Sequence, residues 1–223
     1  MALKGREKTV NFLNATGLTT PYIIAMIAGL GLSLSAGVRA YLPLVALGIV
    51  SHIPSLRILL RPGFDWIGYP VVIGFFAIMT VYEFSADKIP VMDHLNDVVH
   101  TFIRPVSGAV LFISTSNTLT AQGTAGVIIA GVIGAMLAGA THTAKAAIVR
   151  PASTVTTAGI ANPFISLLED IGTFIMILLT VLAPFVAGIL IVVAIFFVVR
   201  GIQIIIKRRR NRNNPGAPTI ATV

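Results

Sequence analysis

The sequence YIIAMIAGLGLSLSAGVRAYLPLVALGIVS, residues 22–51, decides the fold class. It is apolar along its whole length, and Arg39 is its one charged residue. An apolar run of about 20 residues can cross the hydrocarbon core of a bilayer as a helix. A single helix over the whole run would be about 45 Å long, more than a crossing needs. The run therefore predicts either one tilted, kinked helix or a pair of helices broken at SAGVRAYLP.

The rest of the chain repeats this character. Hydrophobic residues make up 56% of the chain and charged residues 11%, whereas soluble domains carry roughly a quarter charged residues. Further apolar helices are predicted at 67–84, 105–117, 124–149 and 164–206, the last with Pro184 in its middle. We therefore predict an all-α, polytopic integral membrane bundle of about six spans or half-spans.

The domain boundaries follow from the same pattern. We expect a polar cytoplasmic lead-in, one membrane domain that divides into two halves, and a basic cytoplasmic tail. In order along the chain these are 1–20, 21–206 (halves 21–117 and 118–206) and 207–223.

The two tails carry the net charge of +8. Residues 9–199 are formally neutral, whereas the end of the chain reads KRRRNRN. Basic segments beside apolar helices stay in the cytoplasm and attract anionic lipid head groups. We expect both termini in the cytoplasm of a bacterial cell, an even number of crossings of its cytoplasmic membrane, and no nucleic-acid partner.

The chain has no cysteine, which excludes disulfides, zinc-thiolate sites and cysteine nucleophiles.

Two of the apolar runs carry small residues spaced four apart. The stripes are Ala25, Gly29, Ser33 and Gly37, then Gly126, Ala130, Gly134 and Ala138. Small residues on one helical face let backbones approach closely in a membrane. Each stripe is followed by a basic side chain and later by acidic residues, so the pattern predicts a weak internal repeat of the inverted kind found in transporters. The alternative is that any tightly packed membrane bundle acquires such stripes.

Residues 83–100, EFSADKIPVMDHLNDVVH, hold four of the eight carboxylates and two of the four histidines. A polar row at helical spacing begins here, opposite an apolar face. The row is Asp93, Asp97, His100 and Arg104, and the apolar face is Leu95, Val98, Val99, Phe102, Ile103 and Val106. Two interpretations stay open: a functional ion pathway, or the solvated side of a helix at the membrane surface.

The candidate site residues are the ionisable groups that flank the predicted spans. We predict an ion or proton pathway through Glu83, Asp87, Asp93, Asp97, His100, Glu169 and Asp170. Four basic residues are predicted to balance charge or bind an anion: Arg39, Lys88, His142 and Lys145. Asp93, Asp97 and His100 are also candidate ligands of a divalent cation, and no other cofactor and no catalytic residue is predicted.

Structural roles compete with these functional ones. Asp93 can cap the helix that follows Pro90. Glu169 and Asp170 can favour the dipole at the head of the last long helix. Arg39 can pair structurally with any of the nearby carboxylates.

Three segments carry a family resemblance: GLSLSAGVRAYLPLVALG (31–48), EFSADKIPVMDHLNDVVHTFIRPVSGAVL (83–111) and HTAKAAIVRPASTVTTAGIANPFISLLED (142–170). Over about residues 28–205 the chain resembles an uncharacterised bacterial membrane family, the domain-of-unknown-function family DUF4126. The resemblance implies a polytopic helical protein and no particular activity. The shared polar positions that it implies are Arg39, Glu83, Asp87, Lys88, Asp93, Asp97, His142, Lys145, Glu169 and Asp170.

Three functions are consistent with this sequence. The leading hypothesis is a small membrane transporter or channel for an ion or small charged solute, coupled to protons. The alternative is a non-transporting scaffold or accessory subunit of a larger membrane complex, docked through the small-residue stripes. The third is a metal-dependent membrane enzyme that acts on lipid. We expect a protein that is not an enzyme and that forms a homo-oligomer or joins a larger membrane complex.

Overall fold

The computed structural model describes residues 20–86, 90–145 and 162–213. Side chains are not described at 20, 58, 90–97, 162–165, 197–198, 201–202 and 205–213. The described residues form helices and turns and no strand, so the all-α class is confirmed.

The helices of the described ranges are numbered in chain order. They are α1 (Thr20–Val38), α2 (Leu42–Val50), α3 (Pro70–Ala86), α4 (Pro90–Thr115), α5 (Asn117–Thr120), α6 (Thr124–Ala144), α7 (Asn162–Leu182) and α8 (Pro184–Asn213). Two short 3₁₀ turns, Arg57–Leu59 and Asp65–Gly68, lie between α2 and α3. The chain divides into two compact units after Ala187, and everything described below belongs to the first unit unless the second is named.

Prolines set several helix boundaries. The long run at 22–51 is a broken pair, because α1 ends at Val38 and Pro43 lies in the first turn of α2. The run at 164–206 also breaks, at the residue before Pro184. Pro105 behaves differently, since α4 continues through it. The expectation of a separate helix beginning at Pro105 is therefore wrong, and membrane helices are known to tolerate such prolines where neighbouring groups bond the freed carbonyl.

Three described helices are long and apolar enough to cross a membrane. These candidate spans are Pro21–Val38, Val98–Thr115 and Thr124–Ala144. Pro70–Ala86 and Pro184–Phe196 are shorter apolar helices. Large apolar side chains also cover the outer surface, as at Val71, Ile78, Val132, Met136 and Phe102. An apolar exterior around helices of this length is the pattern of a protein embedded in lipid.

The contacts between helices define their directions. Ser33 Oγ donates a hydrogen bond to the carbonyl of Gly108, 3.0 Å away, and Gly29 approaches Thr115, so α1 and α4 run antiparallel. Farther along, Gly134 of α6 approaches Gly108, and His142 contacts the earlier part of α4, so α4 and α6 are also antiparallel. It follows that α1 and α6 run parallel.

Helix α7 completes the arrangement around α1. Gly31 approaches Thr180, whereas Arg39 contacts Asp170 and Ser166, so α7 runs antiparallel to α1. The C-terminal ends of α1 and α6 therefore lie close to the early turns of α7.

Both small-residue stripes lie inside the bundle. All eight stripe residues are buried. A Cβ at Gly37 would clash with the carbonyl oxygen of Ala138, and one at Gly134 would clash with the carbonyl oxygen of Gly108. The stripes thus allow backbone-to-backbone approach within this chain, as small residues do in membranes. They are not free to dock a partner, which removes the docking surface that the scaffold hypothesis assigned to them.

Helix α4 presents the described part of its polar row, His100 and Arg104, inward. His100 and Arg104 are buried, while Val98, Val99 and Phe102 are exposed. The interpretation of His100 and Arg104 as a solvated face is therefore wrong. The physical reason is that lipid, not water, is the solvent an outer face of this bundle would meet, and apolar side chains favour lipid.

Candidate functional site

The break between α1 and α2 interrupts the helical hydrogen bonds at Ala40, in the interior. The N–H of Arg39 still donates to the carbonyl of Ser35, at 2.9 Å. The N–H of Ala40 donates instead to the carboxylate of Glu83, at 3.0 and 3.2 Å from its two oxygens. Because a buried N–H without a partner is costly, Glu83 of α3 stabilises the break directly.

Glu83 is the centre of a buried group of charges. Its Oε1 lies 3.3 Å from Nη2 of Arg104 and 3.5 Å from Nε2 of His100. Glu83 and Arg104 are 0% exposed and His100 is 1% exposed. One carboxylate of α3 thus joins the backbone break after α1 to a guanidinium and an imidazole of α4.

Arg104 continues the chain of contacts to α6. Its Nη1 hydrogen-bonds to Nδ1 of His142. A guanidinium can only donate, so Nδ1 must be the acceptor and the proton of a neutral His142 must reside on Nε2. That Nε2 lies 3.3 Å from the hydroxyl of Thr101. Arg104 therefore selects one tautomer of His142.

Arg39 is held by α7. Its Nη2 donates to Oγ of Ser166 at 3.0 Å and forms an ion pair with Asp170. The guanidinium carbon also lies 5.0 Å from the centre of the Phe84 ring. This arrangement combines an ion pair with a cation–π contact, which suits a guanidinium that is 0% exposed.

A third ion pair lies nearer the surface. Lys145 Nζ is 2.7 Å from Oε2 of Glu169, with 8% and 17% of the two side chains exposed. The pair lines an open cavity between α1, α6 and α7. It is therefore the most accessible of the three buried pairs.

We call these residues together the ionic cluster: Arg39, Glu83, His100, Arg104, His142, Lys145, Glu169 and Asp170. It contains two arginines, one lysine and three carboxylates, so its formal charge is zero with both imidazoles counted as neutral. Charges inside a bundle are tolerated when they compensate each other in this way.

Tyr41 borders the cluster at the break, outside the candidate spans. Its ring makes an edge contact with His100, with centroids 5.7 Å apart. Burial raises the pKa of the Tyr41 hydroxyl above its ordinary value, and the nearby negative charge of Glu83 adds to the shift. The phenol is therefore neutral at physiological pH and adds no charge to the cluster.

The structure brings together seven of the residues that the sequence singled out, namely all members of the ionic cluster except Arg104. The other four fall outside what is described: Asp87 and Lys88 entirely, and Asp93 and Asp97 in their side chains. Among the described residues, no three histidine or acidic side chains are placed to share a metal ion. The predicted cation site at Asp93, Asp97 and His100 lies mainly outside the described side chains and stays a prediction.

Sequence reasoning missed three partners. Arg104 was recognised in the polar row but not as a site residue, and Thr101 and Ser166 were not recognised at all. A spacing signal was present, because Arg104 follows His100 by four residues and Asp170 follows Ser166 by four. Residues four apart share a helical face, so Arg104 and Ser166 could each have been placed beside a known candidate.

Comparison with known proteins gives the family. The model of the family described as "Domain of unknown function (DUF4126)" matches residues 26–203, which is most of the chain and includes the whole ionic cluster. The chain belongs to this family. Neither a curated protein nor a solved structure matches it. Membership of DUF4126 confirms the resemblance and brings no activity with it.

Proposed function

We propose that this DUF4126 protein is a small membrane transporter or channel for an ion or small charged solute, coupled to proton movement. The observation that carries the proposal is the ionic cluster, whose six charged side chains lie between helices of which three are candidate spans.

Burying the charges of the ionic cluster inside a membrane bundle costs free energy. Moving a charge to membrane depth costs several kcal/mol, and burying an ion pair is often no better than packing apolar side chains of the same volume. A bundle that needed only to be stable could use leucine at these positions. Retention of three buried pairs therefore supports a role in ion handling.

The contacts of Glu83 suggest how proton binding could be coupled to a conformational change. Glu83 bonds the N–H of Ala40 at the break and also contacts Arg104 and His100. A proton shared by His100 and Glu83 would reduce the negative charge on the carboxylate. The hydrogen bond from the N–H of Ala40 to that carboxylate would then weaken. Protonation would thereby bias the relative position of α1 and α2, which is the kind of bistable element that transport requires.

The membrane topology is a further part of the proposal. Because α1 and α6 run parallel and α4 and α7 run against them, the directions support a topology in which α1, the half-span α2, α3, α4, α6 and α7 alternate across the membrane. With the start of α1 in the cytoplasm of a bacterial cell, as the basic lead-in favours, the turns between α2 and α3 would also be cytoplasmic and the end of α6 would be outside. Because α1 and α6 run parallel, a repeat that equates them would be a parallel one and not an inverted one.

The absence of cysteine makes this topology easy to test. Single cysteines replacing the exposed residues Ser55 and Thr143 would be labelled with a membrane-impermeant thiol reagent in oriented vesicles. The proposal expects Ser55→Cys to react from the cytoplasmic side and Thr143→Cys from the outside. Reaction of both from the same side would contradict it.

A scaffold or accessory role is the second candidate. The pairing of every cation of the cluster with a carboxylate favours it, since neutral pairs can fix helix register without any transport. A homo-oligomer or a partner subunit would then contact the outer apolar surface of the bundle. Purification in mild detergent with a stoichiometric second protein, together with absence of ion flux, would support this role over transport.

Transport itself is tested in proteoliposomes. Solid-supported membrane recordings with sodium, potassium, chloride and phosphate, each at two values of pH, should show a pH-dependent current that empty liposomes lack. Glu83→Gln should abolish the pH dependence, whereas Asp65→Asn, which removes an exposed carboxylate, should leave it intact. Absence of current for every ion from folded, inserted protein would argue against the proposal.

A further inference from the structure

An open cavity of about 490 Å³ lies between α1, α6 and α7. Its lining is mainly apolar or weakly polar, with Leu34, Val38 and Met176 among its walls. Among the described residues that line it, Lys145 and Glu169 are the charged ones. A pocket of several hundred Å³ with an apolar wall and one polar anchor is the shape of a site for an amphipathic molecule.

The polarity of the cavity changes along its length. Two parallel candidate spans end beside it, α1 at Val38 and α6 at Ala144, immediately before Lys145. Leu34 is one helical turn back from the end of α1, and Met176 is seven residues beyond Glu169, about 10 Å along α7. The charged end therefore lies where crossing helices leave the hydrocarbon core, and the apolar end points along the spans into it.

This gradient matches a phospholipid, with its head group at the charged end and an acyl chain at the apolar end. Lysine at such a position is a common partner of lipid phosphate. Here, however, Lys145 is already paired with Glu169 at 2.7 Å. An anionic head group would therefore bring its charge beside the Glu169 carboxylate, and a cationic one beside the Lys145 ammonium.

A zwitterionic head group avoids both conflicts. Its phosphate can bond Lys145 while its ammonium bonds Glu169, which leaves the site neutral. The carboxylate needs an N–H donor for a hydrogen bond, so a primary ammonium fits better than a quaternary one, which carries no N–H. We propose that this cavity binds a phospholipid with a phosphoethanolamine head group, with one acyl chain along Leu34, Val38 and Met176.

The proposal goes beyond transport, because it assigns a resident lipid to the Lys145–Glu169 pair of the ionic cluster and requires neither Glu83 nor His100. It is tested by binding alone. The intact protein is exchanged into nanodiscs made from equal parts of phosphatidylethanolamine, phosphatidylcholine and phosphatidylglycerol. Lipid that stays bound after extraction into mild detergent is then counted by native mass spectrometry.

The wild-type protein should retain phosphatidylethanolamine roughly tenfold more than either competitor, the ratio expected from one charge-assisted hydrogen bond. Glu169→Gln should reduce that preference toward equality, because the amide no longer offers a full negative charge to the ammonium. Arg57→Gln, at an exposed site away from this cavity, should leave it unchanged.

Removal of Lys145 from its pair could prevent folding, so a second variant keeps the pair and fills the cavity. Met176→Trp should lower retention of every lipid while the protein stays folded. Stronger retention of phosphatidylglycerol would overturn the proposal in favour of an anion site. Equal retention of all three lipids, or a preference that survives Glu169→Gln, would overturn it as well.

Discussion

Two arginine–carboxylate pairs in this chain differ in little but their surroundings. Arg104 lies 3.3 Å from Glu83 between helices, and both side chains are 0% exposed. Arg57 lies 3.5 Å from Asp65 between two short turns, and these side chains are 70% and 53% exposed. Water screens the attraction between the charges of the exposed pair almost completely. In the buried pair each charge has lost its hydration, and the partner charge must compensate for that loss. The comparison teaches that burial, and not distance, decides what an ion pair does to this molecule.

The largest effect should follow from breaking the buried pair. Arg104→Met leaves Glu83 and His142 without their shared donor, and removal of one partner of a buried pair costs about 3–5 kcal/mol. The free energy of unfolding in mixed micelles, measured with increasing denaturing detergent, should fall by that amount. A loss below about 1 kcal/mol would mean that water reaches the pair.

The next effect concerns the imidazole beyond that pair. His142→Leu removes the acceptor for Nη1 of Arg104, and an unsatisfied buried donor costs about 1–3 kcal/mol. His142→Asn should recover part of this loss, because an amide oxygen can accept the same hydrogen bond. Equal stability of the two variants would show that the acceptor is unimportant and that only packing matters.

The close approach of α4 and α6 excludes water from the buried pair. This approach can be disrupted without changing either charged residue. Gly134→Leu would push α6 away from the carbonyl of Gly108, at a cost of about 1–3 kcal/mol for overpacking. Gly74→Leu is the matched control, since a Cβ at Gly74 in α3 meets nothing within 4 Å. Similar thermal unfolding of the two variants would contradict the assigned packing.

The exposed pair gives the smallest effect. Asp65→Asn removes the charge opposite Arg57 and should change the free energy of unfolding by less than about 1 kcal/mol, because solvent screens such pairs. Raising the salt concentration should reduce even that difference. A loss as large as that of Arg104→Met would invalidate the comparison on which this ranking depends.

Part of the fold could be read directly from the sequence. Apolar runs of membrane length predict the helices. The run around Arg39 predicts either a kinked helix or a broken pair, and the structure has the broken pair. The stripes through Gly37 and Gly134 predicted close packing, since small residues have few other uses at that spacing. They could not show whether the neighbouring helix belongs to this chain or to a partner.

Neither the face of α4 that points inward nor the pairing of the charges could be predicted from the sequence. Amphipathic spacing separates His100 and Arg104 from Val98 and Phe102, but it does not say which face is inside until the solvent is known. The sequence likewise offers several carboxylates as possible partners of Arg39. Only the antiparallel arrangement of α1 and α7 brings it to Asp170, and that arrangement depends on contacts distant in sequence.

The most direct test compares the two carboxylates in one assay. Proteoliposomes containing a pH-sensitive dye, the four test ions and equal amounts of folded protein would receive an external acid pulse, and the initial rate of internal acidification would be recorded. The account predicts that Asp65→Asn matches the wild-type rate and that Glu83→Gln is slower by about a hundredfold, as expected when a positioned proton-transfer group is lost. Equal rates for both variants would show that the buried charges do not conduct protons.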